Sequence, residues 1–160
     1  MITPSETHRK PYVILAEDNA DLREVLGDVL VSLGAEVEAV ADGGRFLVCI
    51  ASQYNDGHTP ERVNLIITDV GMPVCSGFDI LDAIRAAGWT TPAIIMTGSK
   101  TSLVSTRAAK LQATLLIKPI TLETFESTVI DLLGARPVDG GEAQASTRAA
   151  HDRGGGTDGS

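Results

Sequence analysis

Four short apolar runs of this 160-residue chain end in side chains able to do chemistry. Glu17-Asp18 follows Tyr12-Val13-Ile14-Leu15-Ala16, and Asp69 lies just past Val63-Asn64-Leu65-Ile66-Ile67. Thr97 follows Ala93-Ile94-Ile95-Met96, and Lys118-Pro119 follows Leu115-Leu116-Ile117. If these ends meet, three carboxylates share one place, and they cannot all stay ionised unless positive charge compensates them. Hard oxygen ligands, few of them supplied by protein, suit Mg²⁺. Such a cation, with a hydroxyl and an ammonium beside it, would accept the oxygens of a phosphoryl group.

The four runs are continuous rather than alternating, as in strands buried on both faces of a parallel sheet. Glu36-Val37-Glu38-Ala39-Val40 alternates and belongs at an edge. Between these runs lie helix-period segments. Over 21–33, Leu22, Val25, Leu26, Val29, Leu30 and Leu33 share a stripe opposite Arg23, Glu24 and Asp28, and Gly34 is a stop signal. Helices are also predicted over 42–52, 76–87, 99–110 and 121–133, the last capped by Thr121. Strands and helices in strict alternation give a right-handed, doubly wound α/β sandwich. Its ligand crevice lies beyond the carboxyl ends of the strands, where the four chemical positions fall.

Composition narrows the function classes. A 43% hydrophobic content fits one globular body, here 11–134, between a polar tail over 1–10 and a Gly-rich tail over 135–160 whose composition predicts disorder. No apolar run is long enough to span a bilayer and no signal segment opens the chain, so a cytoplasmic protein without membrane contact is expected. A net charge of −8 argues against nucleic acid as a partner. Cys49 and Cys75 have no metal-type spacing, and Cys75 reads as small filler. His8, His58 and His151 fall in tails or a loop. The connection over 53–64 reads as a surface excursion without a chemical role.

The ordered set of an acidic pair (Glu17, Asp18), a D-x-x-M-P-x-x-x-G pattern (Asp69, Met72, Pro73, Gly77), Thr97, and Lys118-Pro119 resembles the response-regulator receiver domain, in the single-domain form of chemotaxis-type regulators. The resemblance runs from about Tyr12 to Leu133. It implies a flavodoxin-like fold with five parallel strands in the order 2-1-3-4-5 and five flanking helices. It further implies that Asp69 is a phosphoacceptor, taking a phosphoryl group from a histidine kinase or histidine phosphotransfer protein in an Mg²⁺-dependent reaction, with Mn²⁺ as a substitute. Asp18 would bind the metal directly, Glu17 through water, Gly71 through its carbonyl, and Asp69 as a further ligand. Lys118 would pair with the phosphoryl oxygens, the bond to Pro119 being cis; Thr97 would bond the phosphoryl group, and Gly98 would leave room for the donor. Gly71 and Ser99 occupy the positions that govern access of water to the acyl phosphate. The resemblance implies a signalling protein, monomeric or weakly dimeric, that catalyses only its own phosphorylation and dephosphorylation. It would act on a downstream protein target that the sequence does not name.

Some positions depart from the pattern. Leu115 stands where receivers usually carry the switch aromatic, and Ile120 replaces another aromatic after Lys-Pro. The segment "SKTSLVST" over 99–106 is poor in helix formers, so a loosely held fourth helix is expected. A flavodoxin-type cofactor site is disfavoured because "EDNAD" after the first strand would repel an anion. An aspartyl phosphatase would need an acid where Gly71 stands. The remaining alternative is a receiver-like docking module whose phosphorylation is vestigial, for which Leu115 is the chief argument.

Overall fold

The alternation of apolar runs and helix-period segments is realised, in a computed structural model that describes residues 9–55 and 62–134, as a repeating strand–helix chain. The elements are β1 (Tyr12–Ala16), α1 (Ala20–Ser32), β2 (Glu36–Val40), α2 (Gly43–Asn55), β3 (Val63–Asp69), α3 (Gly77–Ala86), β4 (Ala93–Thr97), α4 (Ser102–Lys110), β5 (Ala113–Ile117) and α5 (Leu122–Gly134). All strand pairs are parallel, in the order β2-β1-β3-β4-β5. The expected tails over 1–8 and 135–160, residues 56–61 of the long connection, and all three histidines lie outside the described residues.

Alternation along the central strands divides the core in two. Ile14, Ala16, Ile66 and Ile95 face one way and pack with Phe46 of α2, Phe78 and Leu81 of α3, and Trp89. Val13, Leu15, Leu65 and Ile67 face the other way against Leu26 and Leu30 of α1 and Phe125 and Val129 of α5. Each large apolar side chain so buried contributes about 1.5–3 kcal/mol before the cost of ordering it.

Helix starts are set by local chemistry. The Asn19 side chain accepts from Leu22 N at 2.9 Å to open α1, and Ser76 Oγ accepts from Asp79 N at 3.2 Å to open α3. Gly34, at φ +88°, takes the left-handed conformation that ends α1. Thr121 caps α5 as expected, its Oγ1 accepting from Thr124 N at 3.2 Å.

Two expectations are corrected. The fourth helix begins at Ser102, not Ser99, because Thr101 is its cap and accepts from Val104 N at 3.2 Å. The Ser99 amide is instead engaged by the side chain of Thr97. The run Leu115-Leu116-Ile117 is not buried on both faces: β5 is an edge strand in which only Leu116 is buried. A continuous apolar run at an edge is covered on one side by the flanking helices and left partly open along its free rim.

Candidate functional site

The carboxyl ends of β1, β3 and β5 bring Glu17, Asp69 and Lys118 into direct contact. Asp69 is the last residue of β3 and is 7% exposed; Glu17, one residue past β1, is fully buried. Glu17, Asp18 and Asp69 each place one carboxylate oxygen within 4.8 Å of the others, with Asp18 exposed. Lys118 Nζ reaches into this cluster, 2.9 Å from Glu17 Oε2 and 3.2 Å from Asp69 Oδ2. The bond from Lys118 to Pro119 is cis.

Backbone contacts fix these groups. Lys118 N donates to Thr97 O at 2.7 Å, Val70 N to Met96 O at 2.9 Å and Glu17 N to Val40 O at 3.1 Å, so each strand end is tied to a neighbouring strand. Gly71 N donates to Asp69 Oδ1 at 3.3 Å, holding the β3–α3 loop against the carboxylate. Gly77 is required sterically: a Cβ there would strike the Asp69 carbonyl oxygen and lie 2.9 Å from Thr68 Oγ1. The first turn of α3 therefore sits directly on the backbone of Asp69.

The electrostatics follow from burial. Desolvation raises the Glu17 carboxyl above the usual carboxylate range; the bonds from Lys118 and from Asn19 N at 3.1 Å only partly offset it, and the Asp69 charge adds to it. Burial acts to lower the Lys118 ammonium, but its hydrogen bonds to Glu17 and Asp69 prevail and hold it above the usual lysine value. The cluster thus contains three acids and one firmly protonated lysine, a deficit of positive charge that a hard divalent cation on carboxylate oxygens fits.

Thr97 lies at the end of β4, 5% exposed, but its hydroxyl is turned to Ser99, accepting from Ser99 N at 3.1 Å and donating to Ser99 O at 3.4 Å. Gly98 and Ser99 are exposed, and nothing lies within 4 Å of where a Gly98 side chain would start. Leu115 is half-buried and packs against the core cluster that contains Phe46, Phe78 and Trp89. Two supporting groups escaped the sequence reading. Arg23 Nη1 donates to Glu17 O at 2.9 Å, and Thr68 Oγ1 donates to Asp69 O at 3.2 Å. Arg23 reads as part of the polar stripe of α1, and only the strand–helix geometry turns it back onto the preceding loop.

The response regulator receiver domain family matches residues 13–130, and the chain belongs to that family. It is 29% identical over 130 residues to a probable chemotaxis protein CheY of Rhizobium etli, covering 79% of this chain and 95% of that protein. It is 30% identical over 138 residues to the DNA-binding transcriptional regulator NtrC of Azospirillum brasilense, covering 82% of this chain; the chain spans only 27% of that relative. Of the sensor histidine kinase AtsR of Burkholderia thailandensis it spans 12%, at 29% identity over 85 residues, which are 53% of this chain. Among solved structures, the chemotaxis protein CheY4 of Vibrio cholerae superposes with a TM-score of 0.66 at 28% identity, covering 78% of this chain and 100% of that one. Among the described residues no helix is long and apolar enough to cross a membrane.

Proposed function

We propose that Asp69 is the phosphoacceptor of this receiver and that a phosphohistidine on a histidine kinase or phosphotransfer protein is its donor. The observation that carries the reading is the meeting of Asp69 with Lys118 at 3.2 Å inside a three-carboxylate cluster. An Asp69 oxygen attacks phosphorus as the bond from phosphorus to the donor's imidazole nitrogen breaks; an acyl phosphate forms, and the histidine leaves with its ring nitrogen free to take a proton. Mg²⁺, or Mn²⁺ in its place, held by Glu17, Asp18, Asp69 and the Gly71 carbonyl, would neutralise the clustered acids and the phosphoryl oxygens. Lys118 trades its contact with Asp69 for a phosphoryl oxygen while Glu17 keeps the ammonium in place. The Thr97 hydroxyl reaches the phosphoryl group by giving up Ser99. The protein is a phosphoacceptor in this reading, not a turnover enzyme, and its signal leaves through contact with another protein.

Incubation with acetyl phosphate and Mg²⁺, read by intact mass, tests this. A single phosphoryl adduct is expected, absent in Asp69→Ala and absent when chelator removes the metal. The substitution of Leu115 for the usual aromatic favours one second reading, a docking module with vestigial phosphorylation. An unmodified native protein under these conditions would favour that reading.

A further inference from the structure

The loop that carries the acidic pair is short, Glu17-Asp18-Asn19, between the end of β1 at Ala16 and the start of α1 at Ala20. Glu17 is fixed at every polar atom. Its N–H donates to Val40 O at 3.1 Å and its carbonyl accepts from Arg23 Nη1 at 2.9 Å. Its Oε1 accepts from Asn19 N at 3.1 Å and its Oε2 from Lys118 Nζ at 2.9 Å. Asn19 is fixed as well, its side chain accepting from Leu22 N and its carbonyl from Arg23 N, each at 2.9 Å. Asp18 differs. Its side chain is exposed and makes no hydrogen bond or ion pair among the described residues, yet one of its oxygens lies within 4.8 Å of those of Glu17 and Asp69.

What aims Asp18 is therefore its backbone. Peptide units are planar, so the direction of a Cα–Cβ bond is set by the two units that flank it. The unit joining Asp18 to Asn19 is held at its N–H by the buried carboxylate of Glu17. The unit joining Glu17 to Asp18 is held at its carbonyl by Arg23. Arg23 is half-buried, and its own amide closes the first turn of α1, so its guanidinium reaches back over the loop from a fixed base.

We propose that Arg23 is a positioning residue for the divalent cation: by holding the Glu17 carbonyl it aims the Asp18 carboxylate into the cluster. The proposal rests on the metal reading given above. Mg²⁺ asks for near-ideal octahedral geometry at about 2.0–2.1 Å, so a ligand free to swing serves it poorly. Groups that orient ligands without touching the metal are worth about 10–100-fold in affinity. The sign of the effect separates aim from charge. Arg23 is a cation bonded to the loop that carries two of the three acids, so by Coulomb attraction alone its removal should tighten a divalent cation. Aiming predicts the opposite.

Mn²⁺ binding to the full chain, measured by water-proton relaxation with no phosphoryl donor present, tests the assignment. Arg23→Met, which removes donor and charge at similar length, is expected to weaken Mn²⁺ about tenfold. Arg23→Lys should recover part of that loss, because a single carbonyl needs one charged donor and not the guanidinium fork. Arg45→Met removes an equal charge from α2, where Arg45 pairs with Asp42, and should bind Mn²⁺ at least as tightly as the native chain. With acetyl phosphate at saturating Mg²⁺, Arg23→Met should label at the native rate, because only metal occupancy is impaired. Native or tighter Mn²⁺ binding by Arg23→Met overturns the proposal. So does equal weakening by Arg45→Met, failure of Arg23→Lys to recover any affinity, or slowed labelling that saturating Mg²⁺ does not restore. A native chain that takes up no Mn²⁺ removes the metal reading and this proposal together, whereas a missing Arg23 effect in a chain that binds Mn²⁺ leaves that reading standing.

Discussion

The two halves of the candidate site are built differently. On one side, Glu17, Asp69 and Lys118 come from three strands and are locked by charged contacts across them, with Glu17 fully buried. On the other side, among the described residues the Thr97 hydroxyl bonds its near neighbour Ser99 alone, and the helix that follows, α4, buries a single residue, Ala108, where α3 buries five. What fastens α4 to α3 is largely exposed: Arg107 contacts Asp82 at 2.6 Å and Asp79 at 3.3 Å and lies over the Phe78 ring at 4.7 Å. Leu103 on the same helix is 81% exposed. The half that gathers charge is preorganised, and the other half is held by contacts worth little individually.

Breaking the rigid half should have the largest effect. Lys118→Ala is expected to slow acetyl phosphate labelling by about 100-fold or more, the scale for removing one preorganised group that stabilises developing charge. It should also cost about 2 kcal/mol in urea denaturation, because Glu17 loses its buried partner; Lys118 keeps a quarter of its side chain in water, which holds the cost below that of a fully buried pair. Loosening the other half should separate signal from chemistry. Arg107→Ala is expected to cost about 0.5–1 kcal/mol and to speed amide exchange over 102–110, while labelling of Asp69 stays as in the native protein. Equal exchange in both proteins would show that α4 is not held as described.

A pH series sharpens the same contrast. Lys118 has a folded-state value above its unfolded one, with burial opposing and Glu17 and Asp69 prevailing. Its stabilisation is therefore complete below the ordinary lysine value of about 10.4 and is lost as pH rises through the raised one. Denaturation midpoints of the native protein should fall more steeply above about pH 10 than those of Lys118→Met. An effect of opposite sign belongs to the loop between the halves. Val74 is a β-branched residue at φ +73° and 88% exposed, so Val74→Gly removes left-handed strain at little loss of packing. A gain of roughly 0.5–1 kcal/mol is expected in the same urea assay, the strain relieved exceeding the added chain entropy.

The rigid half was also the legible half. Asp69, Lys118 and the Glu17-Asp18 pair each sit at the end of a continuous apolar run, and parallel α/β topology sends all such ends to one edge, so their convergence follows from sequence alone. The alternating character of β2 likewise placed it at an edge. What the sequence hid depends on contacts between elements that are distant or weakly patterned. The clamp of Arg107 on Asp79 and Asp82 joins residues 25 and 28 positions apart. The true start of α4 depends on two threonine hydroxyls that take separate backbone amides, Thr97 that of Ser99 and Thr101 that of Val104. The exposed rim of β5 is invisible in a run of leucine and isoleucine, because apolar content reports what a strand could bury and not whether a neighbour arrives to cover it.

Gly77 has a consequence for inheritance. The chain carries sixteen glycines, and at most of the described ones a side chain would meet open space or ordinary contact. At Gly77 even a methyl group collides with the carbonyl of Asp69, and at Gly43, where α2 begins, it collides with the backbone of Cys75 in the same loop. The β3–α3 loop is thus gripped from two sides by residues with no reactive atom of their own. A lineage could lose the chemistry through a single alanine codon at either place, leaving every acid, hydroxyl and amine of the site intact.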